Sequence, residues 1–143
     1  MLRRKLLPLA GVPEEVPDLV LKGIEEFNEG KFFECHEYLE DAWNQEQGRI
    51  RYLYQGILQV GVGFYHQRNG KWLGATNLLR KGTMKLKEFE PETLGIDVAK
   101  LVRECERCLQ ELEELGLERI QDFDRSKVPK VEWVEKKPVA GRP

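Results

Sequence analysis

The sequence predicts an all-α fold: a bundle of about five helices built from two similar helical hairpins plus a C-terminal amphipathic helix. Three observations predict this fold class. Apolar residues recur at helical spacings of three and four, glycines stand where these runs stop, and one segment repeats after 40 residues. A chain of 143 residues that is 41% hydrophobic is also long enough for one domain with its own core.

The first hairpin is predicted from two amphipathic runs that a glycine separates. The first run predicts a helix over residues 18–29, and Gly30 ends it because glycine readily takes the left-handed conformation found at helix C-termini. The second run has a helical apolar period and predicts a helix over residues 31–46. Prolines punctuate residues 1–16, which are predicted to form an extended N-terminal lead-in.

The second hairpin begins with a long central helix. No proline interrupts residues 49–69, and apolar side chains occur on more than one side of this run, which predicts a helix touched by several neighbours. Gly70 ends this helix, and the next helix is predicted over residues 71–88. A glycine inside a helix costs about 1 kcal/mol relative to alanine. Close approach of a neighbouring helix is the expected reason for Gly56, Gly61 and Gly63.

The fifth helix has the widest apolar stripe and is predicted over residues 97–115. Asp97 can cap its start and Gly116 can end it. A last turn is expected over residues 120–123. Together these helices predict a single domain over residues 17–124.

The cysteines are interpreted as structural. Cys105 and Cys108 are spaced as CxxC, but they lie in the middle of the fifth helix on its apolar side and without a second pair. Core packing is therefore favoured over redox or zinc chemistry. Three cysteines form no disulfide framework, which predicts a reducing, cytoplasmic location.

An internal repeat aligns the second and fourth helices. "EGKFFECHEYLE" from Glu29 matches "NGKWLGATNLLR" from Asn69, with a glycine turn, an aromatic, a small residue and a leucine at equivalent positions. Helical-hairpin repeats such as the tetratricopeptide type have the same pattern. With two copies, a four-helix core is favoured over a superhelical peptide-binding groove. If an approximate two-fold axis relates the hairpins, Glu40 is expected close to Arg80.

The stretch "FFECHEYLEDAWN" combines ionisable and apolar residues in one helix. His36, Glu40 and Trp43 lie on one stripe because spacings of four and three place side chains above each other. Apolar neighbours predict that the stripe is at least half buried, and a buried carboxylate requires a partner. A structural hydrogen-bond network with Glu40 inside the bundle is therefore favoured. Its candidate residues are His36, Glu37, Glu40, Trp43, Gln59 and Arg80.

A divalent-metal site is the alternative interpretation of the same stretch. His36, Glu40 and His66 can supply two imidazoles and a carboxylate, a set that suits zinc or iron, with Glu37 available as the base of a metal-dependent hydrolase. However, "HEYLE" lacks the second histidine that makes HExxH specific. A small-molecule pocket roofed by Trp43 and nearby tyrosines is a further alternative. The favoured structural network requires no cofactor.

The charge distribution bears on the class of partner. A formal net charge of −2 gives no global basic field, so binding of nucleic acid across the whole surface is not expected. Residues 125–143 form a basic, proline-containing tail with six Lys or Arg against two Glu, and they include Trp133. This tail is expected to be extended and to pack across the domain or to meet a partner. A disordered, solubilising end is favoured over contact with RNA or an acidic partner. The apolar run at residues 6–12 is too short for a signal peptide or a membrane span.

Residues from Leu21 to Leu86 resemble the domain-of-unknown-function family 309. The resemblance rests on that family's HxxxExx(W/Y) motif, present as His36, Glu40 and Trp43, and on the "YLYQGILQVGVGFYHQRNGKWLGATNLLRKG" that follows. The resemblance implies a small all-helical bundle and no established biochemical activity.

The function predicted from these features is binding rather than catalysis. The sequence has no phosphate-cradling glycine loop, no G-x-S-x-G motif and no Ser-His-Asp set. It therefore predicts an uncharacterised cytoplasmic helical module that is non-enzymatic and binds or assembles with protein partners. The apolar excess of the central helix also permits a homodimer.

Overall fold

The computed structural model describes residues 16–134, and its described part is built on five α-helices in chain order. These helices are α1 (Asp18–Asn28), α2 (Phe32–Gln45), α3 (Arg51–Arg68), α4 (Trp72–Lys87) and α5 (Val98–Leu115). The predicted all-α class is confirmed, and each predicted helix is present with its ends within two residues of the predicted ones. Most of the predicted lead-in and the end of the predicted tail lie outside the described residues.

The two hairpins share one turn geometry, as the repeat predicts. Gly30 and Gly70 have φ of 77° and 75°, the left-handed conformation that glycine adopts without steric cost. After α1, Lys31 N donates to Glu26 O at 2.8 Å and Gly30 N donates to Phe27 O at 2.9 Å. The same pair of hydrogen bonds follows α3 at the equivalent positions. Both turns are Schellman motifs, which satisfy the last carbonyl groups of each helix.

Helix α3 lies between α2 and α4, and glycines bring α3 and α4 into close contact. A Cβ atom on Gly82 would lie 2.7 Å from Gly56 O, and one on Gly63 would lie 3.0 Å from Leu79 Cγ. Gly61 instead faces Phe27, Phe32 and Cys35 on the α1 and α2 side. The prediction that the glycines serve close helix approach is therefore confirmed for Gly56 and Gly63, whereas Gly61 makes only ordinary contacts with side chains. The buried side of α3 contributes Leu53, Ile57, Val60 and Phe64 to one continuous core.

A short β-hairpin between α4 and α5 was not predicted. Strands β1 (Glu92–Thr93) and β2 (Ile96–Asp97) pair antiparallel. Their two-residue turn has φ of 54° at Leu94 and 81° at Gly95, both in the left-handed region that tight hairpin turns require. Asp97 then caps α5 as predicted, its carboxylate accepting from Lys100 N at 3.0 Å.

The chain after α5 returns across the helices. Two 3₁₀ segments, Leu117–Asp122 and Arg125–Lys127, lead into an extended stretch. Asn28 of α1 holds this stretch with both ends of its amide: its Nδ2 donates to Val131 O at 3.0 Å, and Val131 N donates to its Oδ1 at 2.7 Å. Trp133 then forms a bridge to Ile96 of β2. The described part of the predicted tail, residues 125–134, thus packs across the domain.

None of the helices within residues 16–134 is both long enough and apolar enough to cross a membrane.

Candidate functional site

The HxxxExxW residues lie at the edge of α2, beside its buried face. Cys35, Leu39 and Ala42 are fully buried against the core. The motif residues follow those three positions by one residue each, which rotates them by about 100° around the helix axis. The motif side chains therefore border α3 on the outer surface.

The predicted burial of Glu40 is wrong. The Glu40 side chain is 56% exposed, and its Oε2 lies 3.7 Å from Nε2 of His36. Arg80, the predicted partner, pairs instead with Glu113 of α5 at 2.7 Å. The predicted two-fold axis fails for a simple reason: α2 and α4 flank α3 on opposite sides, so equivalent residues of the repeat do not meet.

Trp43 makes the closest contact of the motif with another helix. The guanidinium carbon of Arg51 lies 3.7 Å from the centroid of the Trp43 ring. A cation stacked on an indole at this distance is a favourable cation–π contact. The stack joins the end of α2 to the start of α3, on the outer surface of the molecule.

From Arg51 the outer surface of α3 continues along the whole helix. Its residues follow spacings of four, four, three and four, which keep them on one side. We call this surface the α3 face, and it consists of Arg51, Gln55, Gln59, Val62 and His66. All five are partly exposed, whereas the opposite side of α3 is buried.

Several polar atoms on or beside the α3 face are shielded from solvent without a hydrogen-bond partner among the described residues. They are Trp43 Nε1, Arg51 Nε, Gln59 Oε1 and His66 Nδ1. Polar groups that folding buries are nearly always paired, because an unpaired one costs about 1–3 kcal/mol. Four such atoms along one surface mark it as a place where further hydrogen bonds can form.

The two edges of the α3 face carry opposite charge. Glu40 lies on the α2 edge and the exposed Glu37 lies on the outward side of α2 beside it, whereas Lys81 and Lys85 lie on the α4 edge, near Tyr52. Within the described part of the chain, neither lysine has a carboxylate within ion-pair distance, and Glu40 has only its contact with His36. These lysines, with Arg49, Tyr52, Met84 and Glu88, line a cleft of about 570 Å³ where α3 begins.

Exposed apolar side chains surround the same face. Phe33 and Tyr65 are in ring contact across α2 and α3, with centroids 6.4 Å apart. Among residues 16–134, the large apolar side chains that are more than 36% exposed are Phe33, Tyr52, Tyr65, Leu73, Met84 and Leu117, and all but Leu117 belong to α2, α3 or α4. A concentration of exposed apolar groups on one side of a small domain is typical of an interaction surface.

The predicted metal site is not formed by its three residues. His36 lies on the α2 edge, whereas the His66 ring packs on α4, with its Cδ2 2.9 Å from where a Cβ of Gly74 would be. Among residues 16–134, no three His, Cys, Asp or Glu side chains are grouped so that they could hold a metal ion. The α3 helix thus separates the imidazoles that the metal hypothesis requires together.

The cysteine prediction is confirmed. Cys35, Cys105 and Cys108 are buried and unpaired. Burial raises the pKa of the Cys108 thiol to about 12, and that of Cys105 well above its ordinary value. Burial therefore disfavours the thiolate form of both side chains, as expected for cysteines that pack in the core.

The residues missed at the sequence level are Arg51, Lys81 and Lys85. Charged residues on amphipathic helices are common, so their type alone carries no signal. The signal was in the spacing: positions 51, 55, 59, 62 and 66 form a helical stripe of mixed character on a central helix. Such a stripe is expected when one side of a central helix is left without a neighbour.

The class defined by this fold and face is a small all-helical bundle whose central helix is exposed on one side. Residues 20–78 match the family described as a domain of unknown function, DUF309, so the resemblance drawn from the HxxxExxW motif is confirmed over that segment. The chain is also similar to the uncharacterized protein YpuF of Bacillus subtilis (strain 168). The two are 27% identical over 120 residues, with 78% of this chain and 69% of YpuF covered. Neither description names an activity.

Proposed function

We propose that the protein is an assembly module that binds a second copy of itself through the α3 face. The observation that carries this proposal is the opposite charge of the two edges, with Glu37 and Glu40 on α2 and Lys81 and Lys85 on α4. A surface of this kind is complementary to itself, as a symmetric dimer interface requires.

The positions of these charges along the helices match. α2 runs antiparallel to α3, because Phe33 lies beside Tyr65 and Trp43 lies beside Arg51. α4 also runs antiparallel to α3, because Gly74 lies beside His66 and Gly82 lies beside Gly56. By this register the four charges fall at two levels of the α3 face. Glu37 and Lys81 lie near the level of Gln59, and Glu40 and Lys85 lie about one turn nearer the start of α3.

Only one two-fold arrangement uses this match. If two copies meet face to face about an axis parallel to α3, the α2 edge of each copy lies opposite the α4 edge of the other, at the same level. Carboxylates then face ammonium groups on both sides. An axis perpendicular to α3 would instead set α2 against α2 and carboxylates near carboxylates, which is unfavourable.

The apolar residues fit the same arrangement. Phe33 lies at the level of Tyr65, and Leu73 precedes Gly74, which lies beside His66. In the parallel arrangement Phe33 of one copy therefore meets Leu73 of the other, and Val62 lies near the axis against its own counterpart. Both Phe33 and Leu73 are more than half exposed in the monomer, at 56% and 66%.

The available area is sufficient for a specific dimer. An 18-residue helix is about 27 Å long. Three helices packed side by side at 8–10 Å present a face of roughly 700 Å² per copy, close to the ~800 Å² per partner of a standard interface.

A charge-exchange experiment tests the proposal. The Glu37→Lys/Glu40→Lys variant has two basic edges, and the Lys81→Glu/Lys85→Glu variant has two acidic edges. We expect the native protein to sediment as a dimer and each variant alone as a monomer. An equimolar mixture of the variants should form a heterodimer, because each edge then faces an opposite charge.

A matched variant controls for total charge. Lys22→Glu/Lys71→Glu changes the net charge as the acidic variant does, on exposed residues outside the α3 face, and should leave the native dimer intact. A native protein that stays monomeric at several hundred micromolar would refute the proposal. So would two variants that remain monomeric when mixed. Stoichiometric binding of an unrelated protein to the monomer through the α3 face would also refute self-assembly, because the partner of this face would then be that protein and not a second copy.

A further inference from the structure

A separate cleft lies where the turn between α1 and α2 meets the C-terminal segment. It has a volume of about 290 Å³, and Phe64 and Gln67, from the buried side of α3, form part of its lining. The cleft is therefore on the opposite side of α3 from the α3 face. Three cationic side chains, Arg68, Arg125 and Lys130, line it from two parts of the chain.

Each of these cations is held in place by a neutral oxygen rather than a carboxylate. Arg68 Nη2 donates to Gly30 O at 2.8 Å, and its guanidinium carbon lies 5.1 Å from the Phe32 ring centroid. Lys130 Nζ donates to Asn28 O at 3.1 Å. Arg125 Nη2 has a longer contact of 3.4 Å with Gln121 Oε1. Neutral partners position a cation without cancelling its charge, so all three charges remain available to a ligand.

The acidic residue of the lining does not offset these charges. Glu29 lines the cleft, but its Oε1 lies 3.2 Å from the Lys31 ammonium outside it. Within the described part of the chain, none of Arg68, Arg125 and Lys130 has a carboxylate within ion-pair distance. The lining is therefore net cationic, although the whole chain has a net charge of −2.

We infer that this cleft binds the phosphate group of a small phosphomonoester. Guanidinium groups bind phosphate oxygens with two parallel hydrogen bonds, and an ammonium group adds a third donor. A volume near 290 Å³ is at the small end of ligand sites, which suits a phosphate with a short organic group. Ser126 also lines the cleft, where its N–H and its hydroxyl donate to Asp124 Oδ1 at 3.0 and 2.6 Å.

The experiment is a titration of the full chain, followed by NMR, with inorganic phosphate and separately with glycerol phosphate at constant ionic strength. We expect saturable shifts of the Gly30 and Ser126 amide signals. Arg68→Gln should weaken binding about tenfold or more, because a charge-assisted hydrogen bond is lost. Arg119→Gln, which removes an exposed arginine paired with Asp122 at 3.1 Å, is the control and should have no effect. Tighter binding of glycerol phosphate would identify a monoester as the ligand, and equal binding would identify free phosphate.

Arg125→Gln provides a second variant, because Arg68 also supports the turn at Gly30. It should weaken phosphate binding while the melting temperature stays unchanged. Linear, non-saturating shifts, or equal losses in Arg119→Gln and Arg68→Gln, would overturn the inference. Tighter binding of a single-stranded RNA that depends equally on Arg119 would also overturn it, in favour of a general polyanion surface.

Discussion

Glu40 shows how a single position on a helix decides the environment of a carboxylate. Leu39 is fully buried, and the next residue, about 100° further around α2, has a side chain that is 56% exposed. Apolar neighbours in the sequence therefore do not establish burial at the boundary of an amphipathic stripe. At this boundary a carboxylate is solvated and available to a partner, which is the property that the proposed interface uses.

We expect Glu40→Ala to change the free energy of unfolding of the monomer by less than about 0.5 kcal/mol. The exposed Glu40 carboxylate contacts the His36 imidazole one turn away at 3.7 Å, and exposed pairs of this kind contribute little. Urea denaturation at low protein concentration measures the change. Leu39→Ala is the matched comparison and should cost about 2–5 kcal/mol. If Glu40→Ala lowered the free energy of unfolding by about 3 kcal/mol, the hypothesis of a buried network around Glu40 would be supported instead.

The helical elements could be predicted because their signals are local. These signals act within a few residues of the chain: the helical spacing of apolar residues, the Schellman turns at Gly30 and Gly70, and the cap at Asp97. Contacts between elements could not be predicted in the same way. The pairing of Arg80 with Glu113 depends on which helices are neighbours, and no local pattern contains that information.

The same limit applies to short elements and to the site. The β-hairpin at residues 92–97 is too short to show alternation, although Leu94-Gly95 carries a turn signal. The three HxxxExxW residues were correctly predicted to lie on one stripe of α2. Their role was misjudged because burial was inferred from sequence neighbours rather than from the position of α3.

At the scale of elements, the contact between α3 and α4 depends on glycine because the backbones of the two helices meet there. We expect Gly82→Ala to destabilise the protein by about 2 kcal/mol or more, because its Cβ would lie 2.7 Å from Gly56 O and 2.9 Å from Val60 N. Both of these are backbone atoms of α3, which cannot move aside as a flexible side chain could. Thermal or urea unfolding measures the effect.

Gly48→Ala is the control for that substitution. Gly48 is exposed, and the nearest atom to its added Cβ would be the flexible Glu46 Oε2 at 3.4 Å. Its effect should stay within about 0.5 kcal/mol. Equal stability of Gly82→Ala and the native protein would mean that α3 and α4 are further apart than described.

At the scale of the whole molecule, residues 125–134 make contacts with both the first helix, α1, and the last, α5. Asn28 binds both the N–H and the C=O of Val131, and Val134 N donates to Gly95 O at 2.7 Å. Lys127 Nζ binds Glu111 of α5 at 3.0 Å on the way. This segment packs on the side of the bundle opposite the α3 face, so it leaves the α3 face uncovered.

We expect Asn28→Ala to destabilise the protein by about 2 kcal/mol, because it leaves two backbone groups of Val131 without partners. Hydrogen exchange of the Val134 amide should accelerate more than that of amides in α3. Asn44→Ala, on the exposed surface of α2, is the control and should change neither quantity. Unchanged protection of Val134 would show that Asn28 does not hold the segment.

The most direct test of assembly through the α3 face is disulfide trapping at two positions on it. A two-fold axis parallel to α3 places Val62 of one copy against Val62 of the other and Gln55 against Gln55. Val62→Cys and Gln55→Cys should therefore each form a disulfide-linked dimer under mild oxidation, while the buried native thiols stay reduced. An axis perpendicular to α3 brings a residue against its own counterpart only at the level where it crosses the helix. Because positions 55 and 62 are about 10 Å apart along α3, such a dimer could form a disulfide at only one of them. Trapping at neither position, or no more than at an exposed control such as Glu118→Cys, would contradict the account.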